Sequence, residues 1–385
     1  LLSILWSESI DLGVIMPNKL RIENFTRLTE GVNFRFLDSM DDLVRIRDGN
    51  GEILFENKSM RNIVSEMIKN DKRVVRSAEM FFELYSGDIK SKVTMEREVE
   101  IFGKLYAVKA SPIFDKESIV EGYIEVYRDI SLERSITKQL YNTNRKIHND
   151  ILLAKNIQKS ILPKVKNFQN LEFEWSHIAS EDLSGDLFDI VEIDENRVGI
   201  YIADVVGHGI SASIMTMFIR QSMRRILQEN HKLNPEEAIL ELKEMFKQLD
   251  LDIDQYFSIV YMLIDLSENM VSYVNAGHNC MPILFNDKRI AIMHNKGKLI
   301  SNLFENVSYN QKNIRINEGD KILLYTDGLT DTQNFKGQYF DENKLIKWIQ
   351  KNKNEEHIVD NLVKDLKMFR DLEQKDDIAI LLIKK

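Results

Sequence analysis

"ADVVGHG", residues 203 to 209, decides how this chain is read. An apolar, strand-like run through Val198, Ile200, Tyr201 and Ile202 stops at Asp204. Two valines follow, then Gly207-His208-Gly209, then a helix-like run from Ile210 to Phe218. A carboxylate at the end of a buried strand, followed by glycines that let backbone approach a ligand, suits a metal or a phosphate. A solvated aspartate in a strand-to-helix turn would read the same way. The rest of the chain has to choose between them.

Working outward, three more positions share the strand-edge setting, two of them with a glycine nearby. Asp186 follows a glycine in "LSGDLFD". Asp327 ends an apolar run in "ILLYTDGLTD" and precedes Gly328. Asp376 and Asp377 open the last apolar run in "KDDIAILLI". Any one of these acids alone is most simply a solvated turn residue. Four in one context are harder to dismiss, and a set made only of carboxylates selects hard cations, Mg²⁺ or Mn²⁺, over zinc.

The bulk numbers restrict the function classes. At 385 residues the chain is too long for one typical core. A net charge of −9 argues against a nucleic-acid partner. No apolar run is long enough to span a membrane, and the opening Leu-Leu-Ser-Ile-Leu-Trp lacks the basic flank of a signal peptide. The first residue is Leu rather than Met, as in a piece of a longer protein. Cys280 is the single cysteine, which excludes an intrachain disulfide and a cysteine zinc site and points to a cytoplasmic protein.

Three regions are expected. Residues 1–130 carry a hairpin signal: Val44 and Ile46 alternate with Arg45 and Arg47, Asp48-Gly-Asn-Gly51 turns, and Ile53-Leu-Phe55 resumes. Gly122 to Tyr127 reads as an edge strand. The hairpin and the closing "GYIEVYRDIS" resemble a PAS domain, which implies a sensor or dimerisation role. No histidine precedes His148 and no cysteine precedes Cys280, which argues against a His-ligated haem or a flavin–cysteine adduct there. A small molecule, a protein signal or plain dimerisation remain as inputs.

Residues 131–165 form the second region, free of glycine and proline until Pro163. Positions 136, 140, 143, 147, 150, 154, 157 and 161 alternate steps of four and three, and six of the eight are apolar. That spacing predicts a long helix with a heptad seam interrupted at Thr143 and Asp150, hence a coiled coil that joins two chains. The alternative is a helix packed on its own domain.

In residues 166–385, strands are expected near 171–175, 187–193, 198–204, 257–264, 270–275, 281–285, 313–316, 321–326 and 377–383. Helices are expected at 209–229, 235–249, 341–351 and 355–369. Asn234 is the expected N-cap of the second helix, with Pro235 at its first position. Blocks of strands separated by helix pairs give an α+β fold: two packed antiparallel sheets with helices outside.

"SGDLFDI", "ADVVGHGISASI", "NAGHNCMPIL", "LLYTDGLTD" and "KDDIAILL" stand in the order found in the SpoIIE/RsbU-type branch of the metal-dependent serine/threonine phosphatases, relatives of the type 2C enzymes. "AKNIQKSILP", residues 154–163, resembles the segment that enters that domain. The resemblance covers about 150–385. It implies two metal ions, Mn²⁺ or Mg²⁺, held by Asp186, Asp204, Asp327 and Asp376 with the carbonyl of Val205. It also implies hydroxide attack on a phosphoserine, and as substrate a phosphorylated anti-anti-sigma-type protein. His208 lies four residues beyond Asp204, unlike the contiguous Asp-Gly-His-Gly of the eukaryotic relatives, so that family's catalytic histidine is not carried over to it. Asp189, Asp331 and Asp377 read as supporting or structural, as do His278 and Cys280. No arginine is assigned to the phosphate. Two departures stand out: Ser184 precedes Gly185-Asp186 where a second glycine is usual, and Ala379 replaces a common threonine. Neither removes a carboxylate. The competing function is an inert phosphatase fold that signals by capturing a partner; the complete acid set argues against it.

Overall fold

The computed structural model describes residues 34–70, 92–101, 103–370 and 374–385. The opening Leu-Leu-Ser-Ile-Leu-Trp lies outside them. The chain divides into two compact units, residues 1–144 and 145–385. The division falls inside the helix expected between two domains.

In the N-terminal unit, β1 (Leu43–Asp48), β2 (Ile53–Glu56), β3 (Met95–Ile101), β4 (Lys104–Phe114) and β5 (Val120–Asp129) form one antiparallel sheet in the order β2-β1-β5-β4-β3. Helix α1 (Lys58–Asn70) follows β2 and buries Met60 against Leu43, Val108 and Tyr127. The hairpin expected around Asp48 is present: its carboxylate accepts the backbone N–H groups of Asn50 and Glu52. The expected edge strand is not an edge. β5 runs between β1 and β4, because Gly122 lets the β1 backbone approach: a Cβ there would lie 2.3 Å from the carbonyl of Arg47. Every residue of β1 is buried, and its arginines are paired, Arg45 with Glu56 and Arg47 with Glu125.

Helix α2 (Ser131–Ile161) is continuous over its 31 residues. Asp129 accepts the N–H of Ser131, and the Ser131 hydroxyl accepts the N–H of Leu105, so the helix start is fixed to the sheet beside it. The seam residues Ile136, Leu140, Ile147 and Ile157 are exposed.

The C-terminal unit is a four-layer sandwich. One sheet contains β8 (Asp186–Glu192), β9 (Arg197–Val205), β10 (Tyr256–Asp265), β11 (Met270–Ala276) and β15 (Lys312–Arg315), in the order β15-β11-β10-β9-β8, with β14 (Ile300–Ser301) paired to β10. The other is ordered β13-β12-β16-β17-β7-β6, from Ile290–Ile292, Ile283–Phe285, Lys321–Tyr325, Ile378–Lys384, Leu171–Ile178 and Asn167–Phe168. Phe188, Ile200, Ile202, Val260 and Met262 meet Phe173, Ile322, Leu324, Ala379 and Leu381 between the sheets. Alternate residues face outward and are buried too. Tyr201, Ala203 and Ile259 lie under α3 (Ile210–Glu229) and α4 (Pro235–Lys247). Leu323, Ile380 and Leu382 lie under α6 (Glu342–Asn352) and α7 (Ile358–Phe369). Covering both faces explains why "IAILLI" is apolar throughout instead of alternating.

The two packed antiparallel sheets with outer helices match the expected α+β fold. Asn234 caps α4 in a reciprocal capping box with Glu237, and Pro235 sits in its first turn. The short strands β6, β13 and β14 were not expected; two or three residues are too few to show a period. Asp327 does not end its strand but opens a one-turn helix, α5 (Asp327–Thr330).

Candidate active site

The four expected acids converge on one edge of the sandwich, two from each sheet. Asp186 opens β8 and Asp204 stands directly opposite it on β9. Asp327 follows β16 through Thr326, and Asp376 precedes β17. Because β16 and β17 pair antiparallel, with Tyr325 opposite Ile380, the end of one strand delivers Asp327 beside the start of the other.

Their electrostatics show the proximity. Burial raises the Asp204 carboxyl from its ordinary 3.8 to about 7, helped by the charges of Asp327, Asp376 and Asp377. Burial also raises Asp186 well above its usual range, as does the charge of Asp204, against a stabilising hydrogen bond from Thr326. Asp327 and Asp376 are raised for the same reasons, burial first and neighbouring carboxylates second. The charges acting most strongly on Asp186 and Asp204 are all carboxylates. Among the described residues, no three His, Cys, Asp or Glu side chains yet surround a single point closely enough to hold a metal ion. The donor set nonetheless fits a hard divalent cation: oxygen ligands, partly buried, with their negative charge uncompensated.

Two glycines permit the close approach of these loops. A Cβ on Gly328 would lie 1.9 Å from the carbonyl of Asp377, so no other residue lets α5 begin against the start of β17. A Cβ on Gly185 would sit 3.1 Å from the carbonyl of Val205, the carbonyl carried over above as a ligand.

The supporting shell is mostly hydrogen bonds to backbone. Asp377 accepts from the N–H and hydroxyl of Ser180 at 2.7 and 2.9 Å and from the N–H of Gly185 at 2.6 Å, which fixes the loop before Asp186. Thr326 donates its hydroxyl to Asp186 at 2.6 Å and accepts the N–H of Ala379 at 2.8 Å. Thr326 was missed in the sequence; its signal was a lone hydroxyl between an apolar run and an acid. Ala379 itself is packed between the sheets, so the missing threonine leaves no polar gap. Ser184 accepts the N–H of Asp186 at 3.0 Å.

Gln158, also missed, is the one buried residue of α2. Its amide accepts the N–H of Ser184 and donates to the Ser184 carbonyl and to the hydroxyl of Ser213 in the first turn of α3. Nothing in the sequence marks it, because a glutamine on a charged helix looks solvated. Of the three small residues after Gly209, Ala212 and Ser213 are buried, whereas Ser211 is exposed and does not contribute to the packing expected of it.

Asp189, His278 and Cys280 are buried and engaged with the fold. Asp189 is fully buried and points toward α3, where Arg224 makes two hydrogen bonds to it at 2.6 and 2.9 Å. His278 links the two sheets, through Ser258 at 2.9 Å and the carbonyl of Tyr325 at 3.0 Å, and burial lowers it to about 4, so it stays neutral. Burial likewise holds the Cys280 thiol protonated. His208 is exposed and pairs with Glu181 at 3.1 Å.

Residues 194–385 match the family described as Stage II sporulation protein E (SpoIIE). The C-terminal unit carries a SpoIIE-type phosphatase domain. The SpoIIE match begins after Asp186, and the cross-strand pairing with Asp204 brings that acid to the domain's other three. Phosphoserine phosphatase RsbP of Bacillus subtilis is 33% identical over 195 residues, 49% of this chain and 46% of that protein. Phosphoserine phosphatase RsbU of the same organism is 22% identical over 318 residues, 78% of this chain and 92% of that protein. The chain thus spans about half the length of the first relative and most of the second. Among solved structures, the SiaA-PP2C domain of Pseudomonas aeruginosa superposes with a TM-score of 0.57 at 18% identity, over 63% of this chain and 98% of that one. The phosphatase domain of B. subtilis SpoIIE with a fragment of its regulatory domain gives 0.50 at 12% identity, over 97% and 100%. These likenesses establish the PP2C fold of the SpoIIE-type domain.

Proposed function

We propose that the chain is a metal-dependent serine/threonine phosphoprotein phosphatase acting on a phosphoserine of an anti-anti-sigma-type protein. The observation that carries the reading is the set of four mutually repelling carboxylates from two sheets at one edge. Asp186, Asp204, Asp327 and Asp376, with the Val205 carbonyl, hold two divalent cations, Mn²⁺ or Mg²⁺. Such ions supply neutralisation of the phosphate and hydroxide near neutral pH. Asp204 lies opposite Asp186 and feels the charges of Asp327 and Asp376, so it would be suited to serve both cations. Thr326 and Asp377 orient the acids and their loop, and Gly185 and Gly328 bring the backbones together. The names of the relatives, both phosphoserine phosphatases, support the substrate class.

The N-terminal sheet order β2-β1-β5-β4-β3 supports a PAS-like sensor. The exposed seam of α2 supports a homodimer through 131–162, and Gln158 gives that helix a handle on the Asp186 loop. A lone cysteine and the homology support a cytoplasmic location; among the described residues, no helix is long and apolar enough to cross a membrane. Activity is tested with the full chain on p-nitrophenyl phosphate and on a phosphoserine protein, with Mn²⁺, with Mg²⁺ and with chelator. Metal-dependent turnover that Asp204→Asn abolishes is expected. Turnover retained by that variant, or by the chelated chain, refutes the reading.

A further inference from the structure

A cleft of about 760 Å³ opens beside Asp327. Cys280 and Tyr325, both buried, lie on its floor; Asp331 lines it beside the acid cluster, where its charge acts on Asp327 and Asp376, and Tyr339 and Glu342 line it too. The volume is in the range of sites that enclose drug-sized ligands, so a few residues of extended peptide fit.

Its charges divide into two kinds. Lys344 is engaged with the fold: its ammonium donates to the carbonyl of Tyr339, lies 3.7 Å from Asp341 and sits 5.5 Å from the Phe369 ring. Asp341 is engaged too, capping α6 by accepting the N–H of Lys344 at 2.9 Å. Asp331 and Glu342 have no cationic partner among the described residues. Glu342 is close enough to the cleft floor that its charge helps hold the Tyr325 hydroxyl protonated. At the mouth stands a narrow arm: Gln333 bridges to Tyr339, Gly337 turns the chain with φ 71°, and Phe335 at the arm's tip is 71% exposed.

A second phosphate is repelled by this lining. A long aliphatic stem ending in a cation fits it, with the stem on Cys280 and Tyr325 and the head at the carboxylates. We propose that the cleft receives the polypeptide flanking the phosphoserine and that Glu342, with Asp331, selects a lysine or arginine side chain there. The inference rests on the phosphatase reading and names the substrate preference of that site. Asp327 stands at one end, where the cations it is proposed to hold would bind the phosphate, and the exposed arm provides the contact surface that a folded protein substrate needs.

The test uses the full chain loaded with Mn²⁺ and three phosphoserine peptides alike except for arginine, alanine or glutamate at positions flanking the phosphoserine. The expected order of kcat/KM is arginine, alanine, glutamate, with about a fivefold step contributed by one partly exposed carboxylate pair. Glu342→Gln should remove most of the arginine advantage and Glu342→Lys should reverse it. Both variants should hydrolyse p-nitrophenyl phosphate at the wild-type rate, which also shows that they fold. Binding of labelled peptides, read by fluorescence anisotropy, should follow the same order. Equal kcat/KM for the three peptides, or a preference that Glu342→Lys leaves unchanged, overturns the cleft assignment while p-nitrophenyl phosphate turnover still stands. Absence of turnover on every substrate refutes the phosphatase reading instead; the anisotropy order then decides the cleft by itself.

Discussion

Replacing Asp204 by asparagine should make the metal-free protein more stable while abolishing its activity. The Asp204 carboxyl is raised from 3.8 to about 7 by burial and by three neighbouring acids. A gap of about three pH units corresponds to roughly 4 kcal/mol, an upper bound because the coupled acids share the proton. The folded state holds this proton more tightly than the unfolded chain does. The stability so gained is complete below about pH 4 and is lost as pH rises through about 7. Above pH 7 the ionised wild type therefore carries the full repulsion, and Asp204→Asn removes it. After the cost of burying an amide, a gain of about 2 kcal/mol remains, or roughly 4–8 °C in Tm for a unit of this size. The assay is calorimetry of the C-terminal transition in chelator, for wild type and variant, between pH 4 and 8. The variant should be about 2 kcal/mol less stable than wild type at pH 4, the difference should change sign as pH rises toward 7, and added Mn²⁺ should stabilise only the wild type. A variant less stable than wild type at pH 8 in chelator, or a difference that does not depend on pH, would show that the acids do not strain the metal-free fold.

Asp327→Asn should reduce metal-dependent turnover by at least roughly a hundredfold, and combining it with Asp204→Asn should cost little more, since both serve one centre; steady-state kinetics of the double mutant cycle checks this. Gly328→Ala forces a Cβ to 1.9 Å from the Asp377 carbonyl and should cost about 2–4 kcal/mol, read as a lowered denaturation midpoint with impaired metal binding. Gln158→Leu strands the N–H and carbonyl of Ser184 and should lower the stability of the C-terminal unit by about 2–4 kcal/mol. Its turnover should fall even where the fold is intact by circular dichroism. Thr143→Leu with Asp150→Leu should strengthen self-association in sedimentation and hold activity at one level; a monomer with unchanged activity would leave α2 a spacer.

The acid positions were legible because each sits at the edge of an apolar run, three of them with a glycine nearby, and that context survives without knowledge of the partner strand. The sheet-and-helix layering was legible for a similar reason: long runs such as "GIYIADVV" and well-capped helices such as the one after Asn234 are decided locally. What escaped depended on contacts distant in sequence. Gln158 matters through Ser184 and Ser213, 26 and 55 residues away, and no local pattern encodes that. β5 read as an edge strand because nothing local shows that it has a partner on each side. Its central place follows from Gly122 against Arg47 and from Glu125 paired inside the sheet. One-turn α5 hid behind a strand signal because Thr326 and Asp327 continue the polarity change at the end of β16.

Two of the four acids ride on one sheet and two on the other, and between the sheets lie side-chain packing and a few polar ties, from Thr326 to Asp186, from Gly185 to Asp377 and through His278. A cation held by all four would therefore act as a clasp across the sandwich, and the angle between the sheets would tune how tightly it is held. By linkage the dependence runs both ways: whatever shears one sheet over the other changes metal affinity, and loading the metal resists the shear. Ser184 and Ser213 both belong to the first sheet's side of that clasp, and Gln158 grips both. A rotation of α2 thus has a mechanical route to a bound cation that leaves all four acids in place, so an input at the helix would set the metal concentration at which the proposed phosphatase begins to work.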